Sequence, residues 1–163
     1  MTARRAFTLV EMLVALLLVG VVAAMAADLF SGGRHERVDA GVTLLEADMG
    51  YARSLAISSP ADPVVLRVAA DGSGYHLALA SAPEVPLDGP NGPLRVTFGE
   101  GRAESAAGLA LSAGPGREVR FGPFGGVMDP VPTLTVSMVG APESATMVLD
   151  PLSGDASVVY QSP

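Results

Sequence analysis

The most pronounced pattern in the sequence is an almost unbroken run of apolar residues from position 7 to position 27. A run of about 20 such residues is long enough to cross the hydrocarbon core of a bilayer as a helix. Arg4 and Arg5 stand directly before the run, and arginines beside a membrane span favour the cytoplasmic side. The sequence therefore predicts a single-pass anchor with a cytoplasmic N-terminus and the rest of the chain on the opposite side of the membrane.

Glu11 is the single charged residue inside this run. A carboxylate that faces lipid costs about 2.5 kcal/mol or more, so Glu11 needs a partner or a function. Cleavage between Ala6 and Phe7 would provide a partner, since the new α-amino group of Phe7 is a cation one helical turn before Glu11. The first turn of a helix also favours a carboxylate through the helix dipole. In a bundle of parallel helices, Glu11 could instead pair with the amine of a neighbouring subunit.

A second helical pattern follows the apolar run. Gly32 and Gly33 interrupt the first helical pattern. Each glycine destabilises a helix by about 1 kcal/mol, so the pair predicts a kink, a melted turn or a short break. A continuous helix is the alternative. Beyond them the helix is predicted to end before Pro60, because the residue preceding a proline is pushed out of the α region. Apolar residues at spacings of 4, 3, 4, 3 and 4 form its buried stripe: Val38, Val42, Leu45, Met49, Ala52 and Ala56. Three more apolar residues are expected to widen the buried face: Leu44, Tyr51 and Leu55.

From residue 63 onward the pattern changes to short alternating stretches separated by turn-forming residues, which is typical of β-strands. The predicted strands are residues 64–68, 75–79, 94–98, 109–111, 118–121, 133–138, 145–149 and 156–160, with loops over 82–93 and 99–107. One long helix followed by seven or eight strands predicts an α+β domain. The predicted division is a short basic segment over 1–6, a membrane-spanning helix over 7–29, a linker and amphipathic half-helix over 30–59, and a β-rich globular domain over 60–163.

Composition limits which partners and which kinds of site the chain can have. The formal net charge is −7, and all ten basic residues are arginine. An acidic chain argues against nucleic acid as a partner, because phosphate binding needs clustered basic side chains. The sequence contains no cysteine, which excludes disulfides and thiolate metal sites.

The polar residues form no recognisable catalytic set. His35 lies in a charged linker and His76 in a predicted strand, and two lone histidines do not make a metal site of known spacing. Asp150 and Asp155 fall in one turn, where a calcium site is conceivable but has too few carboxylates to be assigned. The aspartates of the turns are favoured there for backbone bonding. Three arginines that could form a basic patch have glutamates interleaved, which favours a mixed solvated face: Arg102, Arg117 and Arg120. We therefore expect neither enzymatic activity nor a cofactor.

Residues 6–16, read as AFTLVEMLVAL, resemble the N-terminal signature of type IV pilins and type II secretion pseudopilins. The resemblance implies that residues 1–6 are a prepilin leader and that residues 7–29 form the filament-core helix. It also implies that a prepilin peptidase cuts before Phe7 and N-methylates its amine, and that Glu11 guides assembly. Ala6 stands where the family usually has glycine; both residues are small. Two other interpretations are a secretory signal peptide cut near Ala24 to Ala26, and a plain membrane anchor. The run is longer than the apolar part of a usual signal peptide and contains Glu11.

Three later segments resemble the GspH/FimT group of minor pseudopilins: residues 45–57, 119–127 and 147–158. This resemblance implies a long N-terminal helix packed on an antiparallel β-sandwich-like domain. It also implies a minor pseudopilin, a structural and assembly subunit of a type II secretion pseudopilus in the inner membrane with its globular domain in the periplasm. The implied partners are other pilin or pseudopilin subunits, the prepilin peptidase, the inner membrane and a secreted substrate.

Two alternatives compete with the pseudopilin. A FimT-like minor type IV pilin, acting in pilus biogenesis or DNA uptake, has the same N-terminal signature. DNA uptake would require a basic exposed stripe, and residues 155–163 contain no arginine. A membrane-tethered periplasmic enzyme is disfavoured because the sequence shows no paired nucleophile and base.

Overall fold

The computed structural model describes residues 9–90, 92–114, 116–128, 130 and 133–161, with the backbone alone for residues 24–32. Its contacts divide the chain into two compact units, Met1–Arg34 and His35–Pro163. The predicted α+β class is confirmed: the structure has one long helix and a domain of antiparallel β-sheets.

A single helix, α1, extends over Leu9–Ser58. It stays helical through Gly32 and Gly33, so the continuous alternative is correct and the predicted melted turn or break is absent from the backbone. His35, predicted in a linker, is therefore helical. Where side chains are described, no helical stretch has both the length and the apolarity needed to cross a bilayer. The predicted membrane-spanning segment, residues 7–29, extends beyond those side chains and stays a prediction.

The half of α1 that belongs to the second unit buries the predicted stripe. The residues of this stripe are almost fully buried: Val38, Val42, Leu45, Met49, Ala52 and Ala56. Leu44 and Leu55 are half-buried and pack against the same core. The prediction for Tyr51 was wrong, since its side chain is 41% exposed. At 100° per residue Tyr51 lies about 200° around the helix from Met49, on the opposite side from the stripe.

The β domain contains two four-stranded antiparallel sheets and one short two-stranded pair. The strand orders are β5-β2-β1-β7 and β10-β9-β8-β6, and the short pair is β3-β4. The strands are β1 Val64–Val68, β2 Gly74–Leu79, β3 Asp88–Gly89, β4 Gly92–Pro93, β5 Arg95–Thr97, β6 Leu109–Ala113, β7 Glu118–Phe121, β8 Thr133–Met138, β9 Ser144–Leu149 and β10 Ala156–Gln161. All eight strands of the two large sheets were predicted, with ends that shift by up to two residues.

The two predicted loops contain structure that the sequence did not indicate. A 3-10 helix, Gly101–Ala106, occupies most of the segment 99–107. Its small side chains Ala103 and Ala106 are buried, which explains why a stretch without large apolar residues still has a fixed conformation. The segment 82–93 contains the β3-β4 pair, held by the register Asp88 with Pro93.

One hydrophobic core joins the helix to both sheets. The first sheet contributes Leu66, Leu77 and Phe121, and the second contributes Leu134 and Met147, all fully buried or nearly so. A backbone hydrogen bond from Leu111 N–H to the Gly72 carbonyl, 2.9 Å long, ties β6 to the turn between β1 and β2. The domain contains no cysteine, so this core supplies its cohesion.

α1 lies close against the second sheet at Gly41. A Cβ atom there would collide with the Leu109 side chain and lie 3.5 Å from Cγ1 of Val136. The absence of a side chain lets the helix backbone lie directly on β6 and β8. Gly41 is therefore required by packing, although its backbone conformation is ordinary.

Candidate functional site

The first candidate site is the beginning of α1. Glu11 lies in the first turn of the helix and is exposed. The residues predicted for processing, Ala6 and Phe7, lie outside the described residues, as do Arg4 and Arg5. The cut between Ala6 and Phe7, the methylation of Phe7 and the pairing of its amine with Glu11 therefore stay predictions.

The surroundings of Glu11 are apolar on every side of the helix. The large apolar side chains from Leu9 to Val22 are all at least half exposed. A helix that is apolar all round is stable only where other apolar groups cover it, in a bundle or in lipid. The segment is therefore built to be covered by other molecules.

The second candidate is a buried polar cluster in the middle of the β-packed half of α1. Asp48 is only 6% exposed, and both of its carboxylate oxygens accept hydrogen bonds. Tyr75 Oη on β2 donates to Oδ2 at 2.8 Å. Arg102 in the 3-10 helix donates through both terminal nitrogens, at 2.7 Å to Oδ1 and 2.6 Å to Oδ2. Three elements thus meet at one carboxylate.

The electrostatics of this cluster favour a structural role. Burial, and then the negative charge of Asp48, raise the pKa of the Tyr75 hydroxyl. The hydrogen bond to Asp48 raises the pKa of Arg102. Tyr75 stays protonated and Arg102 charged at any physiological pH, so neither exchanges protons with a substrate. We interpret the cluster as a clamp between the helix, the first sheet and the 3-10 helix.

Sequence reasoning missed this clamp, although the sequence contained a signal. Asp48 lies three residues after Leu45 and four before Ala52, so helical spacing places it on the buried stripe. A charged residue at a buried position requires a partner. The partner of Asp48 is Arg102, one of the three arginines that could have formed a basic patch. The charge of Arg102 is instead balanced by Asp48.

The helix also contacts β10 through polar groups. Tyr160 Oη donates to Asp39 Oδ1 at 2.7 Å, and this bond to a carboxylate raises the pKa of Tyr160 to about 12. The ring of His35 lies 5.4 Å from that of Tyr160. Further along, Arg53 forms a 2.5 Å ion pair with Asp155 beside a shallow cleft of about 240 Å³. These contacts hold the last strand against the helix.

The aspartates of the turns are engaged locally. Asp150 Oδ1 accepts from the backbone N–H groups of Leu152 and Ser153, at 2.9 and 2.7 Å. These two bonds lower the pKa of Asp150, and the bond from Ser153 has the larger effect. Its neighbour Asp155 is bound by Arg53. The part of the chain that the structure describes contains no group of three metal-ligating side chains, so it gives no support to calcium at this turn.

The remaining polar residues considered in the sequence have structural surroundings. His76 is buried, with Nε2 2.9 Å from the carbonyl oxygen of Pro83. Arg120 pairs with Glu118, which also binds Arg67. Two of the three arginines considered for a basic patch therefore have a carboxylate partner. The interleaved acids produce a mixed face.

Comparisons with known proteins bear on the beginning of α1 and on the fold. Residues 1–27 match the family described as the prokaryotic N-terminal methylation motif. Two crystal forms of the type IV minor pilin FimU from Pseudomonas aeruginosa share the fold, with TM-scores of 0.55 and 0.50 at 16% sequence identity. The alignments cover 77% and 74% of this chain, and 88% and 89% of FimU. A comparison with curated proteins found no match.

Proposed function

We propose that this chain, which combines the fold of a type IV pilin with an N-terminal methylation motif, is a structural subunit of a pilin-like filament and is processed by a prepilin peptidase. One observation carries the proposal. The match to the N-terminal methylation motif, residues 1–27, includes the beginning of a helix whose large apolar side chains from Leu9 to Val22 are exposed and whose first turn contains Glu11. Such a surface gains stability only when other apolar helices or lipid cover it.

The precursor waits in the inner membrane with Arg4 and Arg5 in the cytoplasm. The peptidase cuts between Ala6 and Phe7 and methylates the new amine, which remains a cation. Glu11 then pairs with the amine of Phe7 in its own chain or in a neighbouring subunit. Because a neutralised carboxylate is less costly in apolar surroundings, the pairing favours transfer of the helix from lipid into the filament core.

The more specific proposal is a minor pseudopilin of a type II secretion pseudopilus. It is supported by the resemblance of residues 45–57, 119–127 and 147–158 to the GspH/FimT group. In this role the β domain lies in the periplasm, where it contacts other pseudopilins and a secreted substrate. The structural clamp at Asp48 joins the helix to the first sheet and to the 3-10 helix of the β domain.

A second candidate is a minor subunit of a type IV pilus. The fold that the chain shares with FimU, a type IV minor pilin, favours it. Within this candidate, a role in pilus biogenesis is favoured over DNA uptake, because the net charge of −7 disfavours phosphate binding. Deleting the gene in its host separates the two candidates: loss of secreted proteins from the medium indicates the pseudopilus, and loss of surface pili indicates the type IV pilus.

Processing is tested by expressing the full-length chain with an active or an inactive prepilin peptidase. Intact mass and N-terminal sequencing should show a chain that begins at methylated Phe7 only with the active enzyme. The variant Ala6→Gly is the matched positive control. A chain that still begins at Met1, or one cut near Ala26, contradicts the proposal and indicates a plain anchor or a signal peptide.

A further inference from the structure

The four outer strands of the two large sheets differ in how their open edges are protected. β7 is covered by the segment that follows it, through a 2.8 Å bond from Met128 N–H to the Arg120 carbonyl. β6 is bonded at Leu111 to the turn at Gly72. β5 is only three residues long and contains Arg95, and a short charged edge resists pairing.

Among the residues that the structure describes, nothing gives β10 any of these three protections. It pairs with β9 on one side and is the last strand of its sheet. Its six residues, Ala156–Gln161, include no charged residue and no proline, and Val159 is 56% exposed. An uncharged edge of this length, rich in residues that favour strands, is a template for another strand.

The outer face of the same sheet is also uncharged, although the chain is acidic. Leu134, Val136 and Met138 of β8 point to the core, so the residues between them point outward. Cross-strand pairing sets the outward residues in rows of hydroxyl and small apolar groups: Ser112, Thr135, Thr146 and Val159 in one row, and Thr133, Val148 and Ser157 in the next. A strand added to β10 would extend a surface that has no charge to oppose it.

The other side of β10 faces the acidic surface of α1. Asp39 accepts the hydrogen bond of Tyr160, and Glu46 is close enough for its charge to act on the same hydroxyl. Glu46 also lines the cleft beside Ala156, where the basic side chain, Arg53, is already bound to Asp155. The helix side of the edge is therefore negative.

We propose that β10 is the docking edge for an extended segment of a partner protein whose side chains alternate between uncharged residues and lysine or arginine. Backbone bonds to β10 provide the affinity, as in other cases of β-strand addition. The uncharged side chains continue the outer face, and the basic ones face Asp39 and Glu46. A second copy of this chain fits less well, because pairing would bring two identical sets of carboxylates together. The inference does not depend on the filament role, which acts through the first half of α1.

The proposal is tested with the full-length protein in a neutral detergent and two capped hexapeptides as probes. One probe alternates valine with lysine, and the other alternates valine with glutamate. Hydrogen exchange should slow in residues 156–161 with the lysine probe and stay unchanged with the glutamate probe. Slowing elsewhere, or with neither probe, overturns the proposal.

Three variants test the edge and the charge beside it. Val159→Lys places a cation on β10 itself and should weaken binding of the lysine probe by about tenfold. The matched control Val148→Lys, on the same face but on the inner strand β9, should change it by less than about twofold, since the edge stays open. Glu46→Gln should weaken binding by about threefold, the effect of one partly exposed ion pair.

Equal effects of Val159→Lys and Val148→Lys would show that the probe binds the face and would overturn the edge assignment. The oligomeric state gives an independent check. If the protein without probe forms a dimer in which residues 156–161 are already protected, the occupant is a second copy, and the proposed partner segment is wrong.

Discussion

Arg102 donates hydrogen bonds to Asp48 from both terminal nitrogens, at 2.7 and 2.6 Å. It thereby joins a short 3-10 helix to the buried face of α1. The pair is buried on the Asp48 side and half-exposed at Arg102. Tyr75 completes it from the first sheet. The geometry explains how a helix with one otherwise apolar buried stripe tolerates a carboxylate in that stripe.

Replacing Asp48 with alanine should destabilise the domain by about 3 kcal/mol, because Tyr75 loses its buried acceptor and Arg102 its counter-charge. Tyr75→Phe should cost only about 1 kcal/mol, since Arg102 still satisfies the carboxylate. Chemical unfolding of the full-length protein in detergent, followed by near-ultraviolet circular dichroism, measures both. An Asp48→Ala variant as stable as the parent protein would disprove the clamp.

Stability should fall in alkaline solution. The pKa of Tyr75 is raised in the folded state, so above about pH 10 the unfolded chain loses a proton that the folded chain keeps. Unfolding is then favoured increasingly with pH, by up to about 1.4 kcal/mol for each pH unit. Tyr160, with its pKa raised to about 12, acts in the same direction between pH 10 and 12. The free energy of unfolding measured from pH 8 to 11 should decline less steeply in Tyr75→Phe. Identical slopes would contradict this account.

Gly41 and Gly50 offer a matched pair for testing how α1 packs. A side chain at Gly41 meets Leu109, whereas a Cβ at Gly50 has open space. Gly50→Ala should stabilise the domain by about 0.5 to 1 kcal/mol through helix propensity. Gly41→Val should destabilise it by about 1 to 3 kcal/mol through overpacking. Thermal unfolding of the two variants should shift in opposite directions; shifts of the same sign would show that the helix does not lie on β6.

Glu11→Gln should leave insertion into the membrane intact but reduce incorporation into filaments. The amide removes the charge that we expect to pair with the Phe7 amine, while the rest of the apolar helix is unchanged. The chain lacks cysteine, so a single Leu13→Cys substitution provides a crosslinking reporter. Crosslinks to partner subunits should fall in the variant and persist in the control Glu36→Gln. Unchanged crosslinking in Glu11→Gln would remove the assembly role.

The full-length protein should not retard double-stranded DNA in a gel at physiological salt. Its net charge is −7, and Arg53, Arg67, Arg102 and Arg120 are each bound to a carboxylate. Binding through phosphates needs unbalanced cations on one surface. A clear shift that weakens as salt is added would instead favour a DNA-uptake pilin.

The sequence alone was sufficient for the class of the fold and for most of its elements. The stripe from Val38 to Ala56 and the alternation in each strand record which side of an element is buried, and that pattern is local. The N-terminal signature is likewise a contiguous stretch of side chains. For this reason the buried stripe of the helix, the eight principal strands and the α+β, pilin-like fold were predicted correctly.

Only the tertiary structure showed the features that depend on contacts between residues far apart in the chain. Asp48 and Arg102 are 54 positions apart, and local periodicity contains no information about which distant cation balances a buried carboxylate. The 3-10 helix is stabilised by small residues that gain burial only after the core forms. The open edge at β10 likewise follows from the order of strands in the sheet, since the same six residues would be protected in any inner position.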